Sequence, residues 1–273
     1  MTIDVSTLWD FNKPELSEER FRSALFTASA DDALLLQTQI ARTYGIRRNF
    51  SQAQQILSDI EPQIQSASVE TKVRYYLELG RTYSSATHPP ESQTTQVREL
   101  ARSAYMHASE LAQNEKLDGL AIDALHMMTF VDTAPEEQVE WNRKAIALMQ
   151  SSSQQDVKKW EGSLHNNTGY TLHLLGRYED ALLEFKLALA AHERGGNPQT
   201  IRIAYWMIAW TLRALDRLNE AIEIQLQLEL ECDKAGEPDP YVFEELELLY
   251  KALNNDEKAE FYAARRKATM LPV

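Results

Sequence analysis

Apolar residues with helical spacing recur along this chain in pairs of segments that are joined by short turns. In the clearest pair, the segment Leu164–Tyr170 opens one helix and Gly176 lies in the turn. The second helix then carries Ala181, Phe185 and Ala188 at intervals of three and four residues. Small residues at a helix contact and a glycine at the turn are typical of a helix pair whose apolar face is buried by a neighbouring pair. The pattern predicts an all-α chain.

One alanine position of the second helix can be followed along the chain. These alanines lie 38 to 48 residues apart, except for one gap of 80, and they are Ala53, Ala101, Ala181, Ala221 and Ala259. The gap holds one degenerate unit, whose second helix contains Trp141, Ala145 and Ile146. The spacing therefore predicts six helix pairs with a period of about 40 residues.

This order of residues resembles the tetratricopeptide repeat (TPR), although the period is longer than that of the minimal repeat. The resemblance implies an all-α fold, a right-handed superhelical solenoid of antiparallel helix pairs. We expect residues 1–30 to form an N-terminal extension with a capping helix, and residues 31–273 to form one continuous repeat array. The segment Ser84–Thr95 contains Pro89 and Pro90 and is predicted to be a loop inserted within one pair.

Charge narrows the classes of partner. The chain has 273 residues and a formal net charge of −13. Residues 220–260 carry 13 acidic side chains and three lysines, so this part of the chain repels phosphate backbones and no nucleic-acid partner is expected. We interpret it as a solvated acidic face, with a docking surface for a basic partner as the alternative.

Cysteine content and hydropathy predict the compartment. A single cysteine, Cys232, forms neither an internal disulfide nor a cysteine-based metal site. Residues Met1 to Val5 lack the basic region and apolar run of a secretion signal. No apolar run approaches the roughly 20 residues of a membrane span. We expect a soluble, cytoplasmic protein that does not associate with membranes.

In TPR proteins the first helix of each pair lines the concave surface, so the resemblance assigns candidate ligand-binding residues to each first helix. Transferred residue by residue, the register gives a groove formed by Arg42, Arg74, Arg81, Asp123, His126, Asn166, Tyr170, His173, Trp206, Trp210 and Arg213. This set contains the candidate site.

The segment Ile201–Leu212 is apolar almost all the way round. Tyr205 and Ile208 are predicted on its packing side, which leaves Trp206 and Trp210 towards the groove. Two interpretations remain, namely burial of the tryptophans by adjacent helices and a hydrophobic binding floor.

Three arginines on two neighbouring first helices form a second candidate. Arg42, Arg74 and Arg81 could hold a carboxylate or phosphate through paired donors. The alternative is pairing with acidic neighbours such as Glu78.

The sequence lacks four common catalytic motifs. It has no glycine-rich phosphate loop, no His-Glu-x-x-His, no Gly-x-Ser-x-Gly and no cysteine pair. Asp123 and His126, together with His165, Asn166 and His173, could meet across the groove as a metal or acid/base site, although histidines on helices are more often structural. We expect a non-enzymatic protein without a cofactor or a metal.

The resemblance implies a scaffold that binds a protein partner, as a peptide or helix, in its concave groove. The alternative is a stand-alone sensor of a small molecule or a short signalling peptide. Phe261 and Tyr262 lie on the last helix, and the chain ends at Leu271–Val273 without a further capping helix. This apolar edge predicts a possible homodimer through the C-terminal helix.

Overall fold

The computed structural model describes residues 3–270. The chain folds into two compact units, and the boundary between them falls between Lys158 and Lys159. Between residues 3 and 270 the secondary structure is helical, with thirteen α-helices, four short 3-10 turns and no strand. The helices form six pairs preceded by one additional helix, which confirms the predicted number of pairs. The division at residue 30 and the single continuous array remain predictions.

The first unit contains the additional helix and three pairs. Its helices are α1 Pro14–Leu25, α2 Ala30–Ile46, α3 Phe50–Ile64, α4 Val69–Tyr83, α5 Thr95–Asn114, α6 Asp118–Met127 and α7 Pro135–Ser151. The pairs are α2 with α3, α4 with α5, and α6 with α7, and the first helices α2, α4 and α6 pack against one another in sequence.

The second unit contains the other three pairs. Its helices are α8 Glu161–Leu174, α9 Tyr178–Gly195, α10 Pro198–Ala214, α11 Leu218–Ala235, α12 Pro240–Ala252 and α13 Asp256–Met270. Here the first helices are α8, α10 and α12, and α10 packs against both of the others.

Small residues set the distance between the two helices of a pair. The five repeated alanines are all buried, and so is Ala145 in the degenerate unit. A Cβ atom on Gly80 of α4 would lie 2.5 Å from the ring of Tyr105, and one on Gly169 of α8 would lie 2.8 Å from the ring of Phe185. Both rings are fully buried, so the glycines are needed because an aromatic side chain of the second helix fills the space.

One turn geometry recurs in four of the six pairs. The residue in the turn has a positive φ, and the next amide donates to a carbonyl of the first helix, as in Arg177 N to Leu172 O at 2.9 Å and Arg217 N to Leu212 O at 2.9 Å. This is a Schellman-type helix end. The turn before Arg177 has Gly176 at the positive-φ position. The turn before Arg217 has Asp216 there, and a left-handed conformation at this residue costs about 1 kcal/mol.

The proline-containing insertion is tied to its surroundings. It is non-helical from Ser84 to Thr94 apart from a 3-10 turn at Pro90–Ser92, and Thr95 already begins α5. The ring of His88 stacks on Phe50 at a centroid distance of 3.8 Å, and Tyr105 Oη donates to Ser84 O at 2.6 Å. The predicted loop is therefore confirmed, and its anchors fix the end of α4.

The two ends of the chain differ in how their aromatic residues are covered. Phe21 of α1 is fully buried against α2, and Trp9 Nε1 donates to Gln39 Oε1 at 3.0 Å. On α13, Tyr262 is buried whereas Phe261 is 56% exposed. The homodimer through this helix remains a prediction, and Leu271–Val273 lie outside the described residues. Among the helices of residues 3–270, none is long and apolar enough to span a membrane.

Candidate functional sites

The candidate residues fall into two groups, one in each unit. Arg42, Arg81 and Asp123 meet with Glu78 on the first helices of the first unit, and we call these four residues the charged cluster. Tyr170, His173, Trp206 and Trp210 meet on the first helices of the second unit, and we call these four the aromatic face.

The charged cluster joins α2, α4 and α6. Glu78 Oε1 accepts from Arg81 Nη1 at 2.6 Å and from Arg42 Nη1 at 3.4 Å, and Asp123 Oδ1 accepts from Arg81 Nη2 at 2.5 Å. The side chain of Glu78 is 3% exposed, whereas that of Arg42 is 24% exposed. The rings of Trp9 and Phe11 lie over the Arg42 guanidinium at 5.7 and 5.3 Å, so stacking holds its position.

The charges of the cluster keep one another ionised. Burial opposes the charge of Asp123, but Arg81 and Arg42 outweigh it and lower its pKa. Burial likewise opposes the charge of Arg81, but Asp123 and Glu78 outweigh it and raise its pKa. Burial and the nearby charge of Arg81 lower the pKa of Arg42, although arginine remains protonated near neutral pH. Two cations and two anions therefore give the cluster no net charge.

The other two candidates of the first unit have partners outside the cluster. Arg74 Nη2 pairs with Glu70 Oε1 one turn away on α4 at 2.8 Å. His126 interacts with Asn142, and burial lowers the pKa of its imidazole. Of the three arginines predicted together, the structure thus brings together Arg42 and Arg81.

The aromatic face is a row of stacked rings across α8 and α10. The centroid of Trp210 lies 3.3 Å from that of His173, 5.9 Å from that of Trp206 and 5.9 Å from that of Tyr170, with interplanar angles of 14° to 24°. Trp206 and Trp210 are four residues apart and Tyr170 and His173 three apart, so each pair lies on one side of its helix. The spacing of the rings along each helix and the packing of α8 against α10 together bring them into one row.

The exposure of α10 shows which side faces its neighbours. Ala204, Ile208, Ala209 and Leu212 are buried, whereas Trp206 and Trp210 are only partly buried. Tyr205, predicted on the packing side, is partly buried like the two tryptophans, and its hydroxyl donates to Glu193 Oε1 of α9 at 3.2 Å.

Two further candidates border the face. Arg213 donates to Glu245 of α12 through Nε at 2.8 Å and Nη2 at 2.9 Å, and the Glu245 side chain is 4% exposed. Asn166 lies one turn before Tyr170 on α8, and its buried Oδ1 accepts no hydrogen bond from residues 3–270. Arg213 is thus held by a bidentate pair that also fixes α10 against α12.

The histidines proposed for a metal or acid/base site have separate protein partners. His165 Nδ1 contacts Glu184 Oε2 at 2.6 Å, and His173 Nδ1 contacts Thr211 Oγ1 at 3.1 Å. Within residues 3–270 no three His, Cys, Asp or Glu side chains lie together in a way that could hold a metal ion.

Comparison with known proteins identifies the fold. No protein-family model matches the sequence, and no curated protein matches it. The solved structure of apo RapI is similar over 97% of this chain and 73% of its own, with a TM-score of 0.74 and 13% identity. A signal-transduction ATPase with numerous domains and a tetratricopeptide repeat sensor, from Pyrococcus horikoshii, is similar over 93% of this chain, with a TM-score of 0.73 and 11% identity. This chain spans 39% of that ATPase.

A third solved structure, aspartyl phosphate phosphatase F from Bacillus subtilis, is similar over 94% of this chain and 76% of its own, with a TM-score of 0.59 and 16% identity. At these identities the likeness concerns the fold alone. This chain is a TPR-like helical-repeat protein. The predicted fold class, an all-α TPR-like solenoid, is confirmed.

Some contacts at the candidate sites follow from the helical period, and others do not. Trp206 and Trp210 lie on one side of the first helix α10, as the period predicts, and their role in a ligand groove stays a prediction. The contribution of Trp9 and Phe11 to Arg42 was missed, since it depends on how the N-terminal segment crosses α2. Glu245 was also missed, although a glutamate on the apolar side of a first helix is a usable signal of a buried ion pair.

The imidazole of His173 makes the aromatic face sensitive to pH. Burial, together with the positive charge of Arg213, lowers the pKa of His173 to about 4 from 6.5, and the rings of Trp210 and Tyr178 enclose it. Between these two pH values the unfolded chain binds more protons than the folded one, so the stability due to neutral His173 is complete above about pH 6.5 and is lost as the pH falls towards 4.

We expect this titration to contribute about 2 to 3 kcal/mol to the free energy of unfolding. Urea unfolding of the protein and of the His173→Gln variant, at intervals between pH 4 and 7, measures it. The variant should show a flatter pH dependence than the original protein. Parallel pH profiles for the two would show that His173 does not carry the effect.

Proposed function

We propose that this protein is a non-enzymatic interaction module that binds an apolar peptide segment or helix on the aromatic face of its second unit. The observation that carries the proposal is the stack of Tyr170, Trp210 and Trp206, whose rings remain partly exposed on helices that are already packed on their other side. Partly exposed tryptophan and tyrosine side by side are typical of binding hot spots.

The surroundings of the face suit an apolar ligand. Ile203 is 45% exposed and Tyr241 is 63% exposed, so the apolar surface continues from α10 to α12. A pocket of about 560 Å³ opens beside Trp206, with Ile203, Met207 and Tyr241 in its wall, which is large enough for an anchoring side chain.

Solved neighbours support the class of partner. A Rap protein, similar to this chain with a TM-score of 0.56 and 12% identity, has been solved in complex with competence and sporulation factor. The Pyrococcus horikoshii ATPase is described as carrying a tetratricopeptide repeat sensor. Competence and sporulation factor is the partner of that Rap protein. For this chain, the two neighbours support a peptide or protein as the class of ligand. A cytoplasmic location is proposed from the sequence.

Replacing Trp206 by alanine should weaken ligand capture by roughly 2 kcal/mol or more, about 30-fold, as hot-spot aromatics do. The loss of unfolding free energy should be smaller than the 3 to 5 kcal/mol typical of a fully buried aromatic residue, because the ring is partly exposed. The test is selection of peptides from a displayed random library on the immobilised protein, followed by binding and urea-unfolding measurements on the variant.

Phe261→Ala is the matched control, since this exposed aromatic residue lies on the second helix α13, away from the face. It should leave binding unchanged. Equal losses for the two variants, or a library that yields no binding peptide, would refute the proposed face.

A sensor of a small molecule or a short signalling peptide is the second candidate, favoured by the sensor described for the Pyrococcus horikoshii protein. Mass spectrometry of a solvent extract of the purified protein separates the two functions. A bound small molecule or short peptide indicates the sensor, whereas a captured protein indicates the interaction module.

A further inference from the structure

A groove in the first unit runs along α5 and shares no residue with the charged cluster or the aromatic face. Its volume is about 820 Å³. On one side it is lined by Tyr76, Leu79 and Tyr83, which are three and four residues apart and so share one side of α4. On the other side it is lined by residues of α5 from Leu100 to Asn114, a length of about 21 Å. A groove of this length has room for about four turns of a second helix.

The aromatic lining of the groove is held in position by the core. Tyr76 packs against the core shared with α2 and α3 and also against the core shared with α5 and α6. Its ring meets those of Tyr75 and His107 edge-on, at centroid distances of 5.2 and 4.3 Å. Leu100 and Met106 beside it are each 44% exposed. A fixed ring next to exposed apolar side chains is a surface that a partner can cover without ordering it first.

The charge of the lining is negative. Glu110 is the one residue among Asp, Glu, Lys and Arg that lines the groove, and its carboxylate has no partner within residues 3–270. It follows His107 by three residues, so both side chains lie on one side of α5. Glu110 is therefore close to the Tyr76 ring, which His107 contacts.

A second carboxylate approaches the same ring from α3. Gln54 Nε2 of α3 donates to Thr82 Oγ1 of α4 at 3.3 Å, and Glu61 lies two turns further along the same side of α3. Because helices joined by a short turn run in opposite directions, Glu61 lies opposite Tyr75. Burial and the negative charge of Glu61 accordingly raise the pKa of Tyr75 to about 12, since both disfavour the phenolate.

No cation in these parts of α3 and α5 balances the carboxylates. Residues 50–64 and 103–114 contain no lysine and no arginine. Their acidic residues are Asp59, Glu61 and Glu110. The helices on the two sides of Tyr76 therefore present only negative charge at neutral pH.

We propose that this groove binds a basic amphipathic helix of a protein partner. The apolar side of that helix contacts Leu79, Leu100 and Met106, and its lysine or arginine side chains pair with Glu110 and Glu61. An amphipathic helix laid in an apolar groove is a common mode of recognition. An acidic helix would bring like charges together, which opposes binding. The site lies in the first unit and does not depend on the aromatic face.

The test compares two helical peptides that differ only in charge. Each has about 18 residues and leucines along one side, with lysines beside the leucines in one peptide and glutamates in the other. The full chain carries ¹³C at its methionine methyl groups, and Met106→Leu identifies one resonance. Met106 lines the groove and Met207 lines the pocket beside Trp206, so one spectrum separates the two sites. At pH 7 the lysine peptide should shift the Met106 resonance and bind there about tenfold or more tightly than the glutamate peptide.

Variants test the contribution of charge and of apolar contact. Glu110→Gln should weaken binding of the lysine peptide about threefold, and Glu61→Gln combined with it about tenfold, with a smaller dependence on salt concentration. Leu100→Ser should weaken binding about threefold or more. Glu99→Gln is the matched control, because this exposed glutamate of α5 pairs with Arg102 and lies outside the groove. It should bind as the original protein does, and circular dichroism shows that each variant is folded.

The Met106 resonance also gives the results that would overturn the proposal. If the lysine peptide leaves it unchanged, or shifts the Met207 resonance alone, the groove is not the site. Equal or tighter binding of the glutamate peptide, or equal effects of Glu110→Gln and Glu99→Gln, would show that the groove does not select a basic partner. A Met106 resonance that moves with protein concentration before peptide is added would show that a second copy of the chain occupies the groove instead.

Discussion

Replacing Glu78 by alanine should lower the free energy of unfolding by about 3 to 5 kcal/mol, because it removes the carboxylate that two arginines share. Asp123 would still pair with Arg81, but Arg42 would lose its carboxylate contact while its guanidinium stays largely enclosed. Breaking a buried pair is costly since the remaining charge is left uncompensated, even where the intact pair adds little net stability. Urea unfolding at pH 7 measures the loss.

Glu70→Ala is the matched control for this prediction. Glu70 lies on the same helix and pairs with Arg74, but its side chain is 34% exposed. An exposed pair one helical turn apart contributes about 0.3 to 0.5 kcal/mol. If Glu78→Ala cost no more than Glu70→Ala, the cluster would be as well solvated as a surface pair.

The difference between these two glutamates shows where sequence reasoning reaches its limit. Both stand within one turn of an arginine on α4, and the sequence offers the same opposite-charge pattern for each. Only the packing of α2 and α6 against α4 decides that Glu78 is buried with Arg42 and Asp123 while Glu70 stays near solvent. The sequence therefore suggests an ion pair with Glu78. It does not distinguish such a pair from a group of arginines that is open to an anionic ligand.

Local sequence patterns predicted the helix pairs far better than they predicted the charged cluster. The repeated alanines and the glycine of the clearest turn act within one helix pair, where the contact is decided by residues close in sequence. The same period predicted that Trp206 and Trp210 share one side of their helix, because both lie on α10. It could not predict that Trp210 stacks on His173 of the preceding first helix, because that contact depends on how α8 packs against α10.

Phe185→Ala should also cost about 3 to 5 kcal/mol of unfolding free energy, because the ring is fully buried where α8 and α9 cross. Leu187→Ala, at a 42% exposed position on the same helix, should cost under about 0.5 kcal/mol. Equal costs for the two would mean that the predicted packing of the clearest repeat is wrong.

The contact between Gly169 and Phe185 can be tested by coupling two changes. Gly169→Ala places a methyl group 2.8 Å from the Phe185 ring, which should destabilise the protein by about 1 to 3 kcal/mol through overpacking. In a Phe185→Leu background the same change should cost less, because the narrower side chain leaves room for the methyl group. A coupling energy of about 0.5 kcal/mol or more in this double-mutant cycle is expected. Strict additivity would mean that Gly169→Ala costs the same whether residue 185 is phenylalanine or leucine. Gly169 would then be required for a reason other than the Phe185 ring.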